Sequence, residues 1–375
     1  MTDTHLLIGI PGGRARVPTP ALIVDADALD GNIERMAARA RAAGVVLRPH
    51  GKSHKSAHIA ALQAAAGAAG LCCAKLGEAE ALGAAGVTNI LVTSPVAPAQ
   101  AVRVAACAAS DPGFAIVVDH SAGVAALGAA ATAAGLIITV LIDVDVGLGR
   151  TGVHDPAAAV ALAGLIAAEP GLRLAGVQGY AGHVQHVAGR EPRAAAVAQG
   201  SARLAAAVGA LRAAGHPVPW VTGGGTGSFA ADVADGVLTE VQPGSYVFMD
   251  VDYAAALGSD PDGGFATSLF VAATVVSVNH PAWVTVDAGL KAFATDGPVP
   301  VAVTPRFAAC PYFWFGDEHG GLGRTADGLP VEPGTRVDFA VPHCDPTVDR
   351  YSDYVFVRGD TVVAVVPIDA ARCSQ

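Results

Sequence analysis

Charge is scarce in this sequence: only 15% of its 375 residues are Asp, Glu, Lys or Arg, and only 5% are aromatic. The few charges lean acidic, 33 against 23, for a net charge of −10. That balance sets aside nucleic acid and anionic membrane surfaces as partners. Scarce charge together with a mean hydropathy of +0.45 raises the question of membrane spans. A span needs about 20 strongly apolar residues in a row, and no such run exists. The longest weakly polar stretch, 122–140, is mostly Ala and Gly and is interrupted by Thr132 and Thr139. Residues 1–20 carry Asp3, Arg14 and Arg16 around a short apolar patch, without the basic start and long apolar core of a signal peptide. The six cysteines (Cys72, Cys73, Cys107, Cys310, Cys344, Cys373) have no framework spacing, so reduced thiols in a cytoplasmic protein are expected. Disorder is excluded by a 52% hydrophobic composition.

What is present is an alternation. Apolar, β-branched strand candidates fall at 45–48, 70–74, 89–93, 115–119, 137–146, 174–180, 219–223 and 239–242. Ala-rich helix candidates lie between them at 27–43, 55–66, 77–85, 98–108, 121–134, 156–167 and 191–214. Ala is the best helix former, and Asp27, Ser121 and Asp155 stand where N-caps belong. Strands followed by helices predict a parallel sheet with right-handed crossovers. Eight such units match a closed (β/α)8 TIM barrel, an α/β fold. After about residue 260 the pattern turns β-rich, with candidates at 268–279, 282–287, 335–341 and 354–367 and a hairpin turn at Gly359-Asp360. The expected division is a barrel over 20–255 and a β-domain built from 1–19 plus 256–375, with a linker-like boundary near 254–264.

In such a barrel the C-terminal strand ends line the site. After the first strand comes Arg48-Pro49-His50-Gly51-Lys52-Ser53-His54-Lys55. A partly desolvated lysine there is a nucleophile toward aldehydes; a solvated basic loop fits the same residues. After the seventh strand, Gly223-Gly224-Gly225-Thr226-Gly227-Ser228 offers converging backbone N–H groups and two hydroxyls to an anion. The barrel's phosphate site belongs at that position, and Gln242-Pro243-Gly244-Ser245-Tyr246 follows the eighth strand. Gly147-Leu148-Gly149-Arg150-Thr151-Gly152 fits a dinucleotide fingerprint in letters only, because it lies in the fifth unit. His343-Cys344-Asp345 places His343 and Asp345 on one side of an extended chain, where both can grip one divalent ion; a chance H-x-D is common. Asp317-Glu318-His319 is a second ambiguous cluster. Gly182-His183-Val184-Gln185-His186 follows the sixth strand, and either histidine suits a general base or a plain surface position.

A strand-end lysine, a phosphate cup and an added β-domain together suggest pyridoxal phosphate (PLP) on an alanine racemase-like fold. The chain resembles the metal-activated D-threonine aldolase, D-3-hydroxyaspartate aldolase and D-serine dehydratase group. The resemblance runs through Thr19-Pro20-Ala21-Leu22, residues 48–55, Cys72-Cys73, 222–228, 240–250, Val286-Asp287-Ala288-Gly289-Leu290-Lys291, 317–320 and 343–347. It implies that Lys52 is the Schiff-base lysine, that Tyr180 packs on the cofactor ring and that Arg150 meets its phenolic oxygen. It implies phosphate ligands at Gly225, Thr226, Gly227, Gly244 and Ser245. Gln242 falls where racemases put an arginine against the pyridine nitrogen, and an uncharged partner there is expected to weaken protonation of the ring. Ala74 stands where relatives have Gln. Asp345, in place of the cysteine of the dehydratase branch, favours a hard ion, with Mn²⁺ ahead of Mg²⁺ or Zn²⁺.

The expected activity is cleavage of a D-β-hydroxy-α-amino acid to glycine and an aldehyde, with His343 and Asp345 holding the ion and His186 removing the hydroxyl proton. The rival activities are a dehydratase and a racemase. A non-enzymatic cofactor-carrying barrel is disfavoured by the roughly 110 residues after Gly264. The resemblance also implies a homodimer.

Overall fold

The computed structural model describes residues 4–258, 264–324 and 330–375, which form two compact units. Of the described residues, one unit comprises 35–244, 256–258, 264 and 373–375, and the other comprises 4–34, 245–255, 265–324 and 330–372.

The first unit is the barrel. Its eight strands are Val46–Leu47, Leu71–Cys73, Ile90–Val92, Ala115–Val118, Ile138–Asp143, Leu172–Gly179, Trp220–Gly223 and Glu240–Val241. All pair in parallel, and sheet order follows chain order except that the last strand lies between Val46–Leu47 and Trp220–Gly223. The two ends of the sheet meet where Cys72 N–H donates to Pro49 O at 2.8 Å and His50 bridges Cys72. Cys72, Leu91, Ala115, Val117 and Leu141 make one buried cluster; Ala115 and Val117, two apart, share a face as strand geometry requires.

Helices Ala57–Ala65, Leu76–Ala84, Ala101–Ser110, Ser121–Ala134, Pro156–Ala168 and Arg190–Ala213 fill the crossovers as the Ala-rich windows predict. The seven-residue Phe229–Asp235 completes the set and has no long Ala window to announce it. Asp155 caps its helix through Ala158 N–H at 2.8 Å. The other two caps differ from expectation by one or two residues. His120 Nδ1, not Ser121, accepts from Ala122 N–H, and Asp25, not Asp27, accepts from Ala28 N–H. Among the described residues, Arg190–Ala213 alone is long and apolar enough to cross a membrane by length and composition. It carries five buried aliphatic or Ala positions, Val197, Leu204, Ala207, Val208 and Leu211, and packs on Pro156–Ala168 and Phe229–Asp235.

The second unit is a sheet in the order Tyr312–Trp314, Gly320–Gly323, Trp283–Val286, Leu269–Ser277, Ala21–Asp25, Asp353–Arg358, Thr361–Pro367, with Arg336–Ala340 pairing Leu269–Ser277 and Val301–Ala302. Ala21–Asp25 runs antiparallel to Leu269–Ser277 and parallel to Asp353–Arg358, so 20–34 cluster with this unit. Residues 245–255 do so as well. The cut therefore differs from the expected one at residues 20 and 255. Part of the expected linker, 259–263, lies outside the described residues. Leu7, Val17, Ile23, Ala272, Val355, Val357 and Val362 form the core beneath the sheet.

Candidate active site

Arg48 ends the first barrel strand buried, with its guanidinium 4.9 Å from the centre of the Trp220 ring and Nε 3.0 Å from Glu240 Oε2. Next come His50 and the single 3-10 turn Gly51–Ser53. His50 Nε2 lies 3.1 Å from Thr93 Oγ1, whose own proton goes to Cys73 O. His50 therefore donates from Nε2, and its Nδ1 accepts from Lys52 N–H at 3.4 Å. The two lysines of the segment part company. Lys55 is buried and pairs with buried Glu78 at 3.4 Å, while half-buried Lys52 lines a cavity with Arg150, Tyr180 and Gln242. His50, Ala74, Thr93 and Ser94 complete the lining. Four residues chosen from sequence thus share one cavity, and Ala74 opens onto it too.

Arg150 lies 5.6 Å from the Tyr180 ring centre, a cation–π contact. The G-x-G-x-x-G segment that carries it closes on itself. Asp145 Oδ1 accepts from Gly147 and Gly149 N–H, both at 2.9 Å, and Gly152 N–H donates to Asp119. Those N–H groups serve local carboxylates, as expected of a letter match outside a first βα turn.

The triple-glycine turn has a different internal design from the one its letters suggest. Ser228 Oγ accepts from Gly225 N–H at 3.1 Å and from Gln185 Nε2 at 2.8 Å, and donates to Asp232 Oδ2 at 2.5 Å. Both lone pairs and the proton are committed, so Ser228 is a strut rather than a hydroxyl donor to an anion. Gly227 N–H donates to Gln185 Oε1 at 3.0 Å. A Cβ on Gly225 or Gly227 would strike Gln185, and Gly224 holds φ +71 against Asp232; the glycines are required by close approach. Thr226 and Gly227 line a second cavity together with Arg190 and Arg193. Gly244 sits where a Cβ would lie 3.2 Å from His50 and Ser53. Burial pushes the Asp232 carboxyl up to about 7, against the hydrogen bonds from Ser228 and Gly225. Gln185 was not visible as functional in the sequence, because a lone Gln between Val184 and His186 carries no spacing signal. Its neighbour His186 is exposed and does not line the Lys52 cavity.

In the second unit, Ser245 is buried and its carbonyl accepts from Phe248 and Met249 N–H. His343 keeps extended φ/ψ, but Cys344 opens the short helix Cys344–Val348. The expected extended H-x-D geometry is therefore replaced by a helix-entry geometry. Cys344 does not point away, since its Sγ donates to Asp345 Oδ2 at 3.2 Å. The pair still converges: His343 Nε2 is 3.8 Å from Asp345 Oδ2. His343 Nδ1 donates to Asp296 Oδ2 at 2.9 Å, which leaves the Nε2 lone pair outward, the arrangement of a metal-binding histidine. Among the described residues no group of three His, Cys, Asp or Glu side chains could hold an ion. The donor set fits a two-ligand site completed by water or substrate. Asp317, Glu318 and His319 are exposed, and Glu318 pairs with Lys291.

For a pyridine aldehyde phosphate, the cavity offers an amine, an aromatic ring, a cation and an amide in one place, a donor set that fits the group. Residues 24–252 match the family model for the alanine racemase N-terminal domain, and 268–357 match the putative serine dehydratase domain. A 3-hydroxy-D-aspartate aldolase of Paracoccus denitrificans (strain Pd 1222) is 37% identical, covering 96% of this chain and 94% of its own. A D-threonine aldolase of Arthrobacter sp is 38% identical with the same coverages. The crystal structure of D-threonine aldolase from Filomicrobium marinum superposes with a TM-score of 0.92 at 38% identity, covering 96% of this chain and 97% of that one. The chain belongs to the family of D-threonine and 3-hydroxy-D-aspartate aldolases, carbon–carbon lyases on the alanine racemase-like fold.

Proposed function

We propose that the protein is a PLP- and divalent-metal-dependent aldolase that cleaves D-threonine or D-3-hydroxyaspartate to glycine and acetaldehyde or glyoxylate. The observation that carries this reading is the convergence of Lys52, Tyr180, Arg150 and Gln242 on one cavity. Lys52 Nζ would hold the cofactor covalently, with Tyr180 against the ring and Arg150 beside its phenolic oxygen. Thr226, Gly244 and Ser245 would offer the phosphate its donors; Gly225 and Gly227, expected beside them, have their N–H groups taken by Ser228 and Gln185. His343 Nε2 and Asp345 Oδ2 would hold the ion, Mn²⁺ by the hardness of the donors. When bound, the cofactor supplies an electron sink at Cα, and the ion lowers the pKa of the β-hydroxyl. A general base would accept the β-hydroxyl proton as the Cα–Cβ bond breaks, leaving the aldehyde and, after protonation at Cα, glycine; His186, expected in that role, is exposed and does not line the Lys52 cavity. A cytoplasmic homodimer completes the reading.

The serine dehydratase domain match over 268–357 keeps one second reading in view, expulsion of the β-hydroxyl to give an oxo acid and ammonia. Purified protein incubated with D-threonine, D-serine and both D-3-hydroxyaspartate epimers, with and without Mn²⁺, separates them. Glycine and aldehyde that depend on Mn²⁺ are expected. Ammonia and oxo acid would assign a dehydratase, and D/L interconversion without metal a racemase.

A further inference from the structure

The barrel interior contains a chain of polar side chains whose hydrogen-bond direction is fixed from both ends. At one end the Glu240 carboxylate can only accept. Its Oε2 takes Arg48 Nε–H at 3.0 Å, and its Oε1 takes the Thr222 hydroxyl at 2.8 Å. Thr222 has no second proton, so at its 2.9 Å contact with Gln242 it must accept, and Gln242 Nε2 donates. At the other end, Gln178 Nε2 lies 2.9 Å from both Thr93 O and Asp143 Oδ1. Those two acceptors use both of its amide protons and turn Gln178 Oε1 toward Gln242 Nε2, 3.3 Å away. Flipping either amide would set oxygen against oxygen, so the polarity does not depend on which amide atom is called nitrogen. Both Gln242 N–H bonds are thereby committed. What remains is its Oε1, which takes no donor from the described residues, on a side chain that lines the Lys52 cavity.

We infer that Gln242 is locked as a hydrogen-bond acceptor toward the cofactor ring and selects the form of the ring that carries a proton on its nitrogen. The inference rests on the reading that Lys52 carries PLP. In that molecule the ring nitrogen is para to the carbon bearing the aldehyde. It is the ring atom farthest from the lysine attachment and the only one that can present an N–H. An amide turned the other way would offer a donor and select the bare nitrogen. Thr222, Glu240 and Gln178 are positioning residues: they touch no ligand but decide which face of the Gln242 amide is left over. A protonated ring draws more charge from Cα, the charge that carbon–carbon cleavage releases.

The test is ¹⁵N NMR of the holoenzyme reconstituted with ring-¹⁵N PLP and titrated with pH. The wild-type ring nitrogen is expected at its protonated shift near neutral pH. Gln242→Leu should lower the ring-nitrogen pKa by about one unit, a tenfold fall in the protonated-to-bare ratio. Gln178→Leu, which removes the oxygen that holds one Gln242 N–H and so frees the Gln242 amide to turn, should lower the protonated fraction as well. A bare nitrogen in wild type overturns the inference even if both variants fail to fold, as does a Gln242→Leu signal identical to wild type. The reading beneath it fails separately: it falls if wild type gains no visible absorbance with PLP, or if Lys52→Ala binds PLP as wild type does.

Discussion

The barrel interior and the helix-entry site of the β-rich unit handle polar groups in opposite ways. In the barrel, Gln178, Gln242, Thr222, Glu240, Gln185 and Ser228 are all buried and hydrogen-bonded to one another or to backbone. In the β-rich unit, the His343, Asp345 and Asp296 side chains are 27%, 14% and 54% exposed, and His343 Nε2 lies 3.8 Å from Asp345 Oδ2. A buried network whose side-chain donors are all committed fixes geometry, because stripping a partner from any member costs about 1–3 kcal/mol. A loosely held pair with a spare lone pair can exchange ligands. The contrast matches what each region is proposed to hold: an organic ring that must not shift, and an ion that must admit substrate.

The largest effect should break the barrel side of this contrast. Lys52→Ala is expected to abolish the visible absorbance of bound PLP and to lower turnover on the order of 10³-fold or more. Absorbance spectra after PLP incubation and gel filtration check it. A retained band would move the attachment elsewhere, with buried Lys55 already neutralised by Glu78.

The β-rich side should respond next. His343→Ala is expected to weaken Mn²⁺ binding on the order of 10²-fold, and Asp296→Asn about tenfold, because Asp296 holds the Nδ1 proton and so the orientation of Nε2. Calorimetric Mn²⁺ titration reads both. Equal affinity in wild type and Asp296→Asn would show that the ring needs no such support. Within the barrel, Ser228→Ala should strip partners from Gly225 N–H, Gln185 and Asp232 at once, costing about 1–3 kcal/mol of stability. It should also loosen PLP by about tenfold at constant KM. Urea denaturation and PLP retention on dialysis measure the two, and unchanged retention would detach the strut from the proposed phosphate site.

How much of this was legible in the sequence follows the same divide. Barrel strands such as 115–119 and helices such as 121–134 declare themselves, because period and Ala content are local signals. Lys52 and the glycine turn could be picked out because a strand end gives position to a residue type, although Lys52 lines one cavity and Thr226 and Gly227 another. Gly320–Gly323 was missed as a strand because glycine disfavours sheets; the Tyr312 and Phe313 rings lie where Cβ atoms on Gly320 and Gly321 would be. Phe229–Asp235 was missed because seven residues give no usable periodicity. The Gln185 strut and the direction of the Gln242 amide were beyond reach. They depend on contacts 42 and 64 residues apart in the chain, which no local pattern encodes. Ser228 shows the cost of reading by type alone: a hydroxyl in a phosphate-like turn turned out to be saturated by protein.

The smallest expected effect on turnover, and the finest probe of the buried network, is Asp232→Asn. Burial raises the Asp232 carboxyl to about 7, whereas in the unfolded chain it ionises near 3.9. Between roughly pH 4 and pH 7 the folded state keeps a proton that the unfolded state has lost. Stability then falls as pH rises, because the slope follows protons bound in the unfolded minus the folded state. The contribution is fully present below the unfolded pKa and gone above the folded one. Asn keeps an oxygen for the Ser228 hydroxyl but cannot ionise, so its stability lacks this component. Wild type should therefore lose ground against Asp232→Asn in urea midpoint from pH 4 to pH 8, with the difference levelling off above about 7. A difference that stays flat across that range would mean that Asp232 does not titrate there and that the strut ends on a permanently charged carboxylate.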